Sequence, residues 1–422
     1  MARRDWFRWH SWTGLTAGLL LFVFCWSGTV AVFSREIDWL LNAAIRAAPV
    51  EGELPWGRAE AAIAEARPGW TLVQLNAPYA PGWAMEAWLE DPHGVMHRAY
   101  ADPRSGEVVA VTPYFNVQRF FRSFHMALFI VDWRVGGVPL GYWLVGIMAV
   151  ALLGSLVTSL VFYKRWWRGF LKLERGKGAK VLWSDLHKLA GVWSLWFVAL
   201  IGLTGIWYLA EWYTPRSPAP PERPAVAAQA VEAPGIDALV AAARATLPGL
   251  QVRAVLPGEV VEVQGRDGAL LVRDRAAKVW LDPRDGGVLG VQRASDLTAY
   301  QRWIDTADPV HFGDFGGLWS KAVWFFFGLG LSSLCLSGAY LQAQRQRRAH
   351  PGLRTPVLAA YAVTVAALLA SAWCGVGEIR GYGRVEGGAP GWPEAAAGVW
   401  LFVGAWIAVT LAALTAWMAK LR

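Results

Sequence analysis

One pattern, a histidine followed by two glycines, occurs twice inside long apolar segments of this chain. The copies have identical spacing: His10, Gly14 and Gly28 in the first, and His187, Gly191 and Gly205 in the second. The 18 residues from His10 to Gly28 make five helical turns, so we predict that both lie on one face of a straight helix, about 27 Å apart. The repeat therefore predicts two related units, each bringing one histidine into a membrane.

The glycines of this pattern admit two interpretations. Gly14 and Gly191 lie one turn after the histidines, where they would let a bulky planar group approach the backbone, and Gly28 and Gly205 would do so near the far end. Small residues also let membrane helices pack closely. The duplicated spacing shifts our expectation toward a cofactor.

The apolar segments predict the fold class. Of 422 residues, 55% are hydrophobic, and charge is confined to a few stretches. We predict an integral membrane protein, mainly α-helical, with about six transmembrane helices and two periplasmic α+β domains. The spans are expected at 11–33, 138–163, 189–212, 318–342, 357–374 and 396–418. An even number of spans predicts that both termini lie on one side.

Basic residues predict the orientation in the lipid bilayer. They cluster before the first span, in the loop 164–188 and after the fourth span. The positive-inside rule then predicts cytoplasmic termini. The segments 34–137 and 213–317 would face the opposite side, which in a bacterium is the periplasm. The net charge of +8 follows from this topology and indicates no nucleic-acid partner.

The amino-terminal segment and the cysteines were each open to a second interpretation. Residues 1–33 loosely fit a signal peptide, but the apolar run is long and His10 belongs to the repeat, so we expect this segment to be retained. Cys25, Cys335 and Cys374 all fall in or at the ends of apolar spans. We predict free, buried thiols and no disulfide framework.

The two external segments also resemble each other. Each offers a helix, at 57–66 and 236–246, then strands ending in a hairpin with an Asp-Pro-x-x-Gly turn, from Asp102 and Asp282. The predicted division is transmembrane helix 1 (1–33), first external domain (34–116), interfacial helix and transmembrane helix 2 (117–163), basic loop (164–188), transmembrane helix 3 (189–212), linker and second external domain (213–310), transmembrane helix 4 (311–345), and transmembrane helices 5 and 6 (346–422).

Two more histidines precede the spans that return from the external side. His125 lies in a predicted amphipathic helix, and His311 lies in a segment that reads HFGDFGGLW. The predicted topology puts His10 and His187 at one depth and His125 and His311 at the opposite depth. Two histidine pairs, one near each membrane face, are what two six-coordinate haems b require, because imidazole is a standard axial ligand of haem iron. A lone histidine at a span end is more often an interface residue.

The remaining charged and histidine side chains near the spans have less specific predicted roles. Arg122, with Arg119 and Arg302, lies near the predicted external pair, and Arg8 and Lys188 lie near the other pair. These cations would neutralise haem propionates or act as ordinary interface anchors; the sequence leaves both open. We expect His93 and His97 to be surface residues, because the second domain has no counterparts.

Taken together, these motifs resemble the PepSY-associated transmembrane helix family, which includes ferrisiderophore reductases of the FoxB and PiuB kind. The resemblance rests on the WH-x3-G and LH-x3-G openings, the HFGDFGGLW segment and the paired Asp-Pro-x-x-Gly hairpins, and covers about residues 5–345. It implies a bacterial inner-membrane dihaem protein with PepSY-like periplasmic domains, whose haem ligands would be His10, His125, His187 and His311. Two departures are a gap after His125 that is seven residues longer than that after His311, and the unassigned last two spans.

The resemblance implies a ferric-siderophore reductase, with a ferric siderophore in the periplasm as electron acceptor. No Gly-x-Gly-x-x-Gly pattern follows a strand, so a separate donor is expected, either a quinol or a cytoplasmic reductase. Two other classes stay open: a haem-free regulatory or protein-binding module, and a siderophore or metal permease. The spans carry little beyond Ser, Thr and Gly as polar residues, which favours electron transfer over transport.

Overall fold

The computed structural model describes residues 2–170, 178–215, 221–222, 233–349, 355–383 and 389–419. Parts of the predicted basic loop 164–188 and most of the predicted linker 215–234 lie outside these residues. Within them, five helices are long and apolar enough to cross a membrane: α6 (Leu140–Phe162), α8 (Leu195–Ala210), α11 (Gly317–Ala349), α12 (Thr355–Gly381) and α13 (Ala397–Ala419). The chain is a multi-pass membrane protein.

The first predicted span is broken into two helices. Helix α1 (Arg3–Thr16) and helix α2 (Gly18–Ala31) meet at a 65° bend, and the pair would be a sixth span. The prediction of one straight helix from His10 to Gly28 is therefore wrong. Thr13 and Thr16 donate hydrogen bonds to carbonyls one turn earlier, an arrangement that favours bending.

The second repeat is interrupted at the corresponding place. Helix α7 (Ala179–Trp193) ends before Ser194, and α8 begins after it. Ser194 lies seven residues after His187, as Ala17 lies seven residues after His10. Each of these histidines is thus carried by a short leading helix whose direction is set separately from the apolar helix that follows.

Helix α2 leans directly on α11. A Cβ atom added at Gly18 would lie 3.1 Å from the Ala339 Cβ and 3.3 Å from the Cys335 carbonyl oxygen. Lipid gives little hydrophobic driving force between helices, so such close backbone approach is what stabilises them in a membrane. Cys25 and Cys335 face each other across this contact with sulfur atoms 4.0 Å apart, and all three cysteines are free thiols, as predicted.

Three shorter helices join the membrane bundle to the external part: α3 (Ser34–Leu41), α5 (Val117–Ala127) and α10 (Ala299–Phe312). Helix α5 is amphipathic, as predicted, and its apolar face packs against protein. Phe121 and Phe124 each lie 5.1 Å, centroid to centroid, from the Trp406 ring of α13. The helix that carries His125 is therefore covered by the last helix of the chain.

The two external segments form one continuous antiparallel sheet. Its order is β10-β9-β8-β7-β1-β2-β3-β4, so two four-stranded meanders meet at β1 and β7. Helices α4 (Trp56–Ala66) and α9 (Ile236–Thr246) pack against it at the predicted positions. The strands are β1 (Thr71–Asn76), β2 (Met85–Glu90), β3 (Met96–Ala101), β4 (Val108–Pro113), β7 (Gln251–Leu256), β8 (Val261–Arg266), β9 (Ala277–Leu281) and β10 (Val288–Gln292).

The centre of this sheet is a local two-fold axis. Leu75 of β1 pairs with Val255 of β7, which is its own counterpart in the second repeat, and Asn76 pairs with Ala254. Leu75 and Val255 are both fully buried. The predicted Asp-Pro-x-x-Gly turns also match: the amides of Gly106 and Gly286, both at positive φ, donate to the carbonyls of Asp102 and Asp282 at 2.8 and 2.9 Å.

The longer gap after His125 forms a separate small structure. Strands β5 (Arg134–Val135) and β6 (Val138–Pro139) make a two-stranded hairpin between α5 and α6. The insertion is absorbed before α6 begins, so it leaves α5 and α6 packed against each other. The extra residues of the first repeat therefore leave His125 opposite His311, its counterpart in the second repeat.

Candidate functional site

His125 and His311 lie opposite each other at the end of the bundle nearest the sheet; we call them the sheet-side pair. Their ring centroids are 6.2 Å apart, with planes inclined by 39°, and both residues are half-buried. Two imidazoles on opposite sides of one metal, bonded at about 2 Å, have centroids about 6 Å apart. The sheet-side pair fits two axial ligands of one metal centre.

His10 and His187 form the second pair, which we call the distal pair. They lie on the leading helices α1 and α7, both of which pack against α11, and both are half-buried. The structure thus places His125 and His311 opposite each other and carries His10 and His187 on two helices that share the neighbour α11. The partners come from different repeats in each pair.

Each of the four imidazoles contacts a hydroxyl through Nδ1. The distances to the hydroxyl oxygen are 3.3 Å for His10 and Thr158, 3.1 Å for His125 and Ser27, 2.8 Å for His187 and Ser337, and 2.7 Å for His311 and Thr204. Two carbonyl oxygens also accept from Nδ1, Ser155 from His10 at 3.0 Å and Phe24 from His125 at 3.1 Å. Nδ1 is therefore the hydrogen-bonded nitrogen in all four.

These contacts fix the tautomer of two rings. A carbonyl oxygen can only accept, so Nδ1 carries the hydrogen in His10 and His125. The hydroxyls beside His187 and His311 have carbonyl acceptors in their own helices, which favours the same tautomer there; Thr204, for example, lies 2.7 Å from the Leu200 carbonyl. In this tautomer Nε2 keeps its lone pair, which is the state of a metal-ligating histidine.

The hydroxyls follow the repeat as closely as the histidines do. Ser27 and Thr204 each directly precede the second glycine of the pattern. Thr158 and Ser337 were missed. Thr158 follows His125 by 33 residues and Ser337 follows His311 by 26, and the difference equals the seven-residue insertion. Once this insertion is allowed for, Thr158 and Ser337 occupy equivalent positions in the two repeats, and this equivalence could have identified them from the sequence.

The glycines of the pattern have different surroundings. Among the described residues, a Cβ added at Gly14 would meet nothing within 4 Å beyond its own helix, and at Gly191 the nearest such atom is Leu334 Cδ2 at 3.7 Å. A Cβ at Gly28 would lie 2.6 Å from the His125 ring, and one at Gly205 would lie 2.9 Å from Ala149. Gly14 and Gly191 leave space one turn from the distal histidines, Gly28 makes room for His125, and Gly205 serves helix packing.

Some of the predicted propionate partners already form ion pairs within the protein. Arg119 pairs with Glu378 at 2.9 Å, and Lys188 pairs with Asp185 at 2.9 Å. Arg122, three residues before His125, is exposed and has no ion pair within the described parts of the chain. Arg122 is thus the side chain of this group on α5 that is available to an anionic ligand.

The amino terminus of α5 is held by a buried carboxylate. Asp38 of α3 accepts hydrogen bonds from the amides of Val117 and Gln118, both at 2.8 Å. Asp38 is 3% exposed, and this burial raises its pKa to about 7 against the opposing effect of the two amides. The position of the His125 helix is therefore sensitive to the charge of one acid.

His97 has an ordinary structural environment. Its ring stacks on Trp70 at 4.4 Å, and its Nε2 lies 3.3 Å from the Asp91 carboxylate. Among the residues that the structure describes, no group of three His, Cys, Asp or Glu side chains is arranged to hold a metal ion. His93 is exposed and His97 is half-buried.

Comparison with known proteins gives the family. Residues 7–345 match the family described as the PepSY-associated TM region. The chain belongs to this family. It is also 27% identical over 265 residues to a Pseudomonas aeruginosa protein named "Uncharacterized protein PA4219"; the match covers 56% of this chain and 65% of that protein. The match thus spans just under two thirds of that relative.

The family match ends before α12. All four histidines and all four hydroxyls fall inside the PepSY-associated region, as do both halves of the sheet. Helices α12 and α13 lie beyond it. They nevertheless contact α5 and α2, the helices that carry His125 and Ser27. This chain therefore adds a helix pair beside the sheet-side histidines.

Proposed function

We propose that this PepSY-associated membrane protein is a dihaem b-type oxidoreductase of the bacterial inner membrane. In this proposal it carries electrons across the membrane to a ferric siderophore in the periplasm. The observation that carries the proposal is the common environment of the four histidines: each Nδ1 lies within hydrogen-bond distance of a hydroxyl on another helix, and the sheet-side ring centroids are 6.2 Å apart.

The residues of the chain have distinct tasks in this function. The sheet-side pair would hold one haem and the distal pair the other, with Thr158, Ser27, Ser337 and Thr204 fixing the imidazole orientations. Haem bound by two histidines supplies a one-electron couple without an open coordination position. Gly14 and Gly191 leave room beside the distal pair, and Arg122 would pair with a propionate.

The reaction balances with a separate donor. Each ferric siderophore takes one electron and becomes Fe(II), which hard oxygen ligands hold less well, so iron is released. One quinol gives two electrons and two protons and would reduce two ferric complexes; a cytoplasmic reductase is the other source. The choice of a siderophore as acceptor rests on the resemblance to ferrisiderophore reductases. The orientation, with cytoplasmic termini and a periplasmic sheet, rests on the distribution of basic residues.

The test is haem content in the purified full-length chain. Oxidised and dithionite-reduced spectra with a pyridine haemochrome titration should give two haems b per chain. His10→Ala, His125→Ala, His187→Ala and His311→Ala should each remove one haem or convert it to high spin. A wild-type chain that stays colourless when expressed with ample haem would overturn the redox function and favour the regulatory module. Reduced protein should then transfer electrons to ferric chelates from the periplasmic face in liposomes.

A further inference from the structure

The two helices of the sheet-side pair carry opposite charges at equivalent places. In α10, acids stand six and three residues before the histidine, at Asp305 and Asp308. In α5, the same places before His125 hold Arg119 and Arg122. Both repeats thus have charged residues at these two places, but the charges are positive on α5 and negative on α10. An ion pair that anchors α5 needs an acidic partner, whereas one that anchors α10 needs a basic partner.

The acids of α10 are anchored from within their own repeat. Asp308 accepts from Arg273 and from the Tyr208 hydroxyl, both at 2.8 Å, and Asp305 lies 3.8 Å from Arg275. Arg273 and Arg275 belong to the loop between β8 and β9. The Tyr208 ring also meets His311 edge to face at 5.1 Å. Loop and bundle together fix α10 next to its histidine.

The arginine of α5 is anchored from outside the repeat. Glu378 of α12 accepts hydrogen bonds from Arg119 at 2.9 Å, from the Ser123 hydroxyl at 2.6 Å and from the Tyr382 hydroxyl at 3.0 Å. Arg119 also donates to the Tyr382 hydroxyl at 2.7 Å. The side chains of Arg119 and Glu378 are only 26% and 16% exposed, so this pair is shielded from water.

A second contact brings α12 against the segment that follows α5. A Cβ at Gly375 would lie 2.9 Å from the ring of Phe129, a buried residue with φ of +59°. A larger residue at position 375 would push against a backbone that already has an uncommon conformation. Helix α12 therefore contacts α5 through Glu378. It contacts the segment just after the end of α5 through Gly375.

We propose that α12 is the anchor of the His125 helix, with Glu378 and Tyr382 as positioning residues for the His125 imidazole; for the haem, this rests on the proposed function. The loop between β2 and β3 holds no arginine and α5 holds no acid, so the first repeat has no counterpart of the Arg273–Asp308 ion pair; Asp38 holds only the backbone amides at the start of α5. Helix α12, which lies outside the family match, supplies an ion pair through Glu378. Breaking a shielded ion pair leaves an uncompensated charge, which loosens the helix that carries it.

The first measurement is hydrogen exchange on the full-length protein in lipid nanodiscs. Glu378→Gln should speed exchange of the amides in 117–127 about tenfold, the loss expected for one charge-assisted hydrogen bond, and leave 299–312 unchanged. Arg380→Gln is the matched control, because Arg380 is an exposed charge two residues away on α12 that bonds only to the Pro390 carbonyl among the described residues. The exchanged pair Arg119→Glu with Glu378→Arg should restore slow exchange. Tyr382→Phe gives a milder version if Glu378→Gln does not fold.

The second measurement is the spin state of the two haems in the same variants. Glu378→Gln should convert part of one haem to high spin, and Asp308→Asn should affect that same haem through His311. Unchanged exchange in 117–127 would overturn the anchor, and faster exchange with both haems unaltered would overturn the positioning of His125. A wild-type chain without haem would instead contradict the proposed function, while the exchange comparison would still decide whether Glu378 holds α5.

Discussion

The Thr204 hydroxyl lies 2.7 Å from Nδ1 of His311, between the imidazole and the Leu200 carbonyl to which it donates. It belongs to the apolar helix of its repeat, whereas His311 belongs to α10. The contact therefore fixes a ring on one helix by a polar group on another. The same relation, with a hydroxyl and a histidine on different helices, occurs at all four histidines.

Removing one of these hydroxyls should weaken haem binding at one pair only. Thr204→Val and Ser337→Ala leave Nδ1 without its acceptor, and loss of an outer-shell partner typically lowers metal affinity about 10–100-fold. Haem titration of each variant measures the loss, which we expect at the sheet-side pair for Thr204 and at the distal pair for Ser337. Thr415→Val is the control, because that exposed hydroxyl bonds only within α13 among the described residues. Equal losses in all three variants would contradict the specific role.

The pairing of the histidines predicts how double variants combine. His125→Ala and His311→Ala should act on one haem, so the double variant should keep one haem per chain, as each single variant does. His10→Ala with His125→Ala should leave none. Haemochrome quantification on both doubles measures this difference. Complete loss of haem in the first double would mean that His125 and His311 serve different haems.

Gly28 and Gly14 should respond differently to a methyl group. Gly28→Ala places a Cβ 2.6 Å from the His125 ring, so the imidazole must move and the sheet-side haem should lose its low-spin spectrum. Gly14→Ala meets no described atom beyond its own helix within 4 Å and should leave the sheet-side spectrum unchanged. Optical and electron paramagnetic resonance spectra of the two variants make the comparison. A normal sheet-side spectrum in Gly28→Ala would show that His125 does not need this space.

Asp38 should make stability fall as pH rises. Its pKa is raised from 3.8 to about 7 by burial, so the folded state favours the protonated acid, and the stabilisation present at low pH is lost as pH passes from about 4 to above 7. A shift of about three pH units corresponds to at most about 4 kcal/mol. Melting curves from pH 5 to 8 should decline more steeply in wild type than in Asp38→Asn. Parallel curves would contradict the assignment.

The comparison of variants is needed because other acids titrate in the same direction. Burial also raises the pKa values of Glu60, Asp305 and Asp314, and Arg98 and Glu86 act on Asp38 with opposite signs. Those groups stay in place in Asp38→Asn. The difference between the two melting profiles therefore isolates the acid that holds the amino terminus of α5.

The sequence predicted those features that depend on a local pattern of residues. The helix at 236–246, the Asp-Pro-x-x-Gly turns and the histidine pairs all follow from periodicity, from glycine at positive φ, or from the repeat itself. The bend at Ala17 could not be read this way. An apolar run gives the same hydropathy whether it is straight or broken.

Contacts between residues far apart in the sequence could not be predicted either. The sequence predicted two separate external domains, because each meander has its own helix and turn. Whether β1 and β7 stay as free edges or pair with each other depends on how the spans arrange the two halves, and Leu75 looks like any buried strand residue. The anchoring of Arg119 by Glu378 likewise joins residues 259 positions apart that share no motif.

The pairing of Leu75 with its own counterpart Val255 bears on the ancestry of the chain. An antiparallel contact in which equivalent residues meet at the axis is an isologous interface, the kind that two identical subunits make around a two-fold axis. A half-length precursor could close its exposed β1 edge by pairing with a second copy of itself, and four histidines would then be shared between two polypeptides. Fusion of two such genes would keep the symmetric edge and free each half to diverge, and the opposite charges on α5 and α10 fit such divergence.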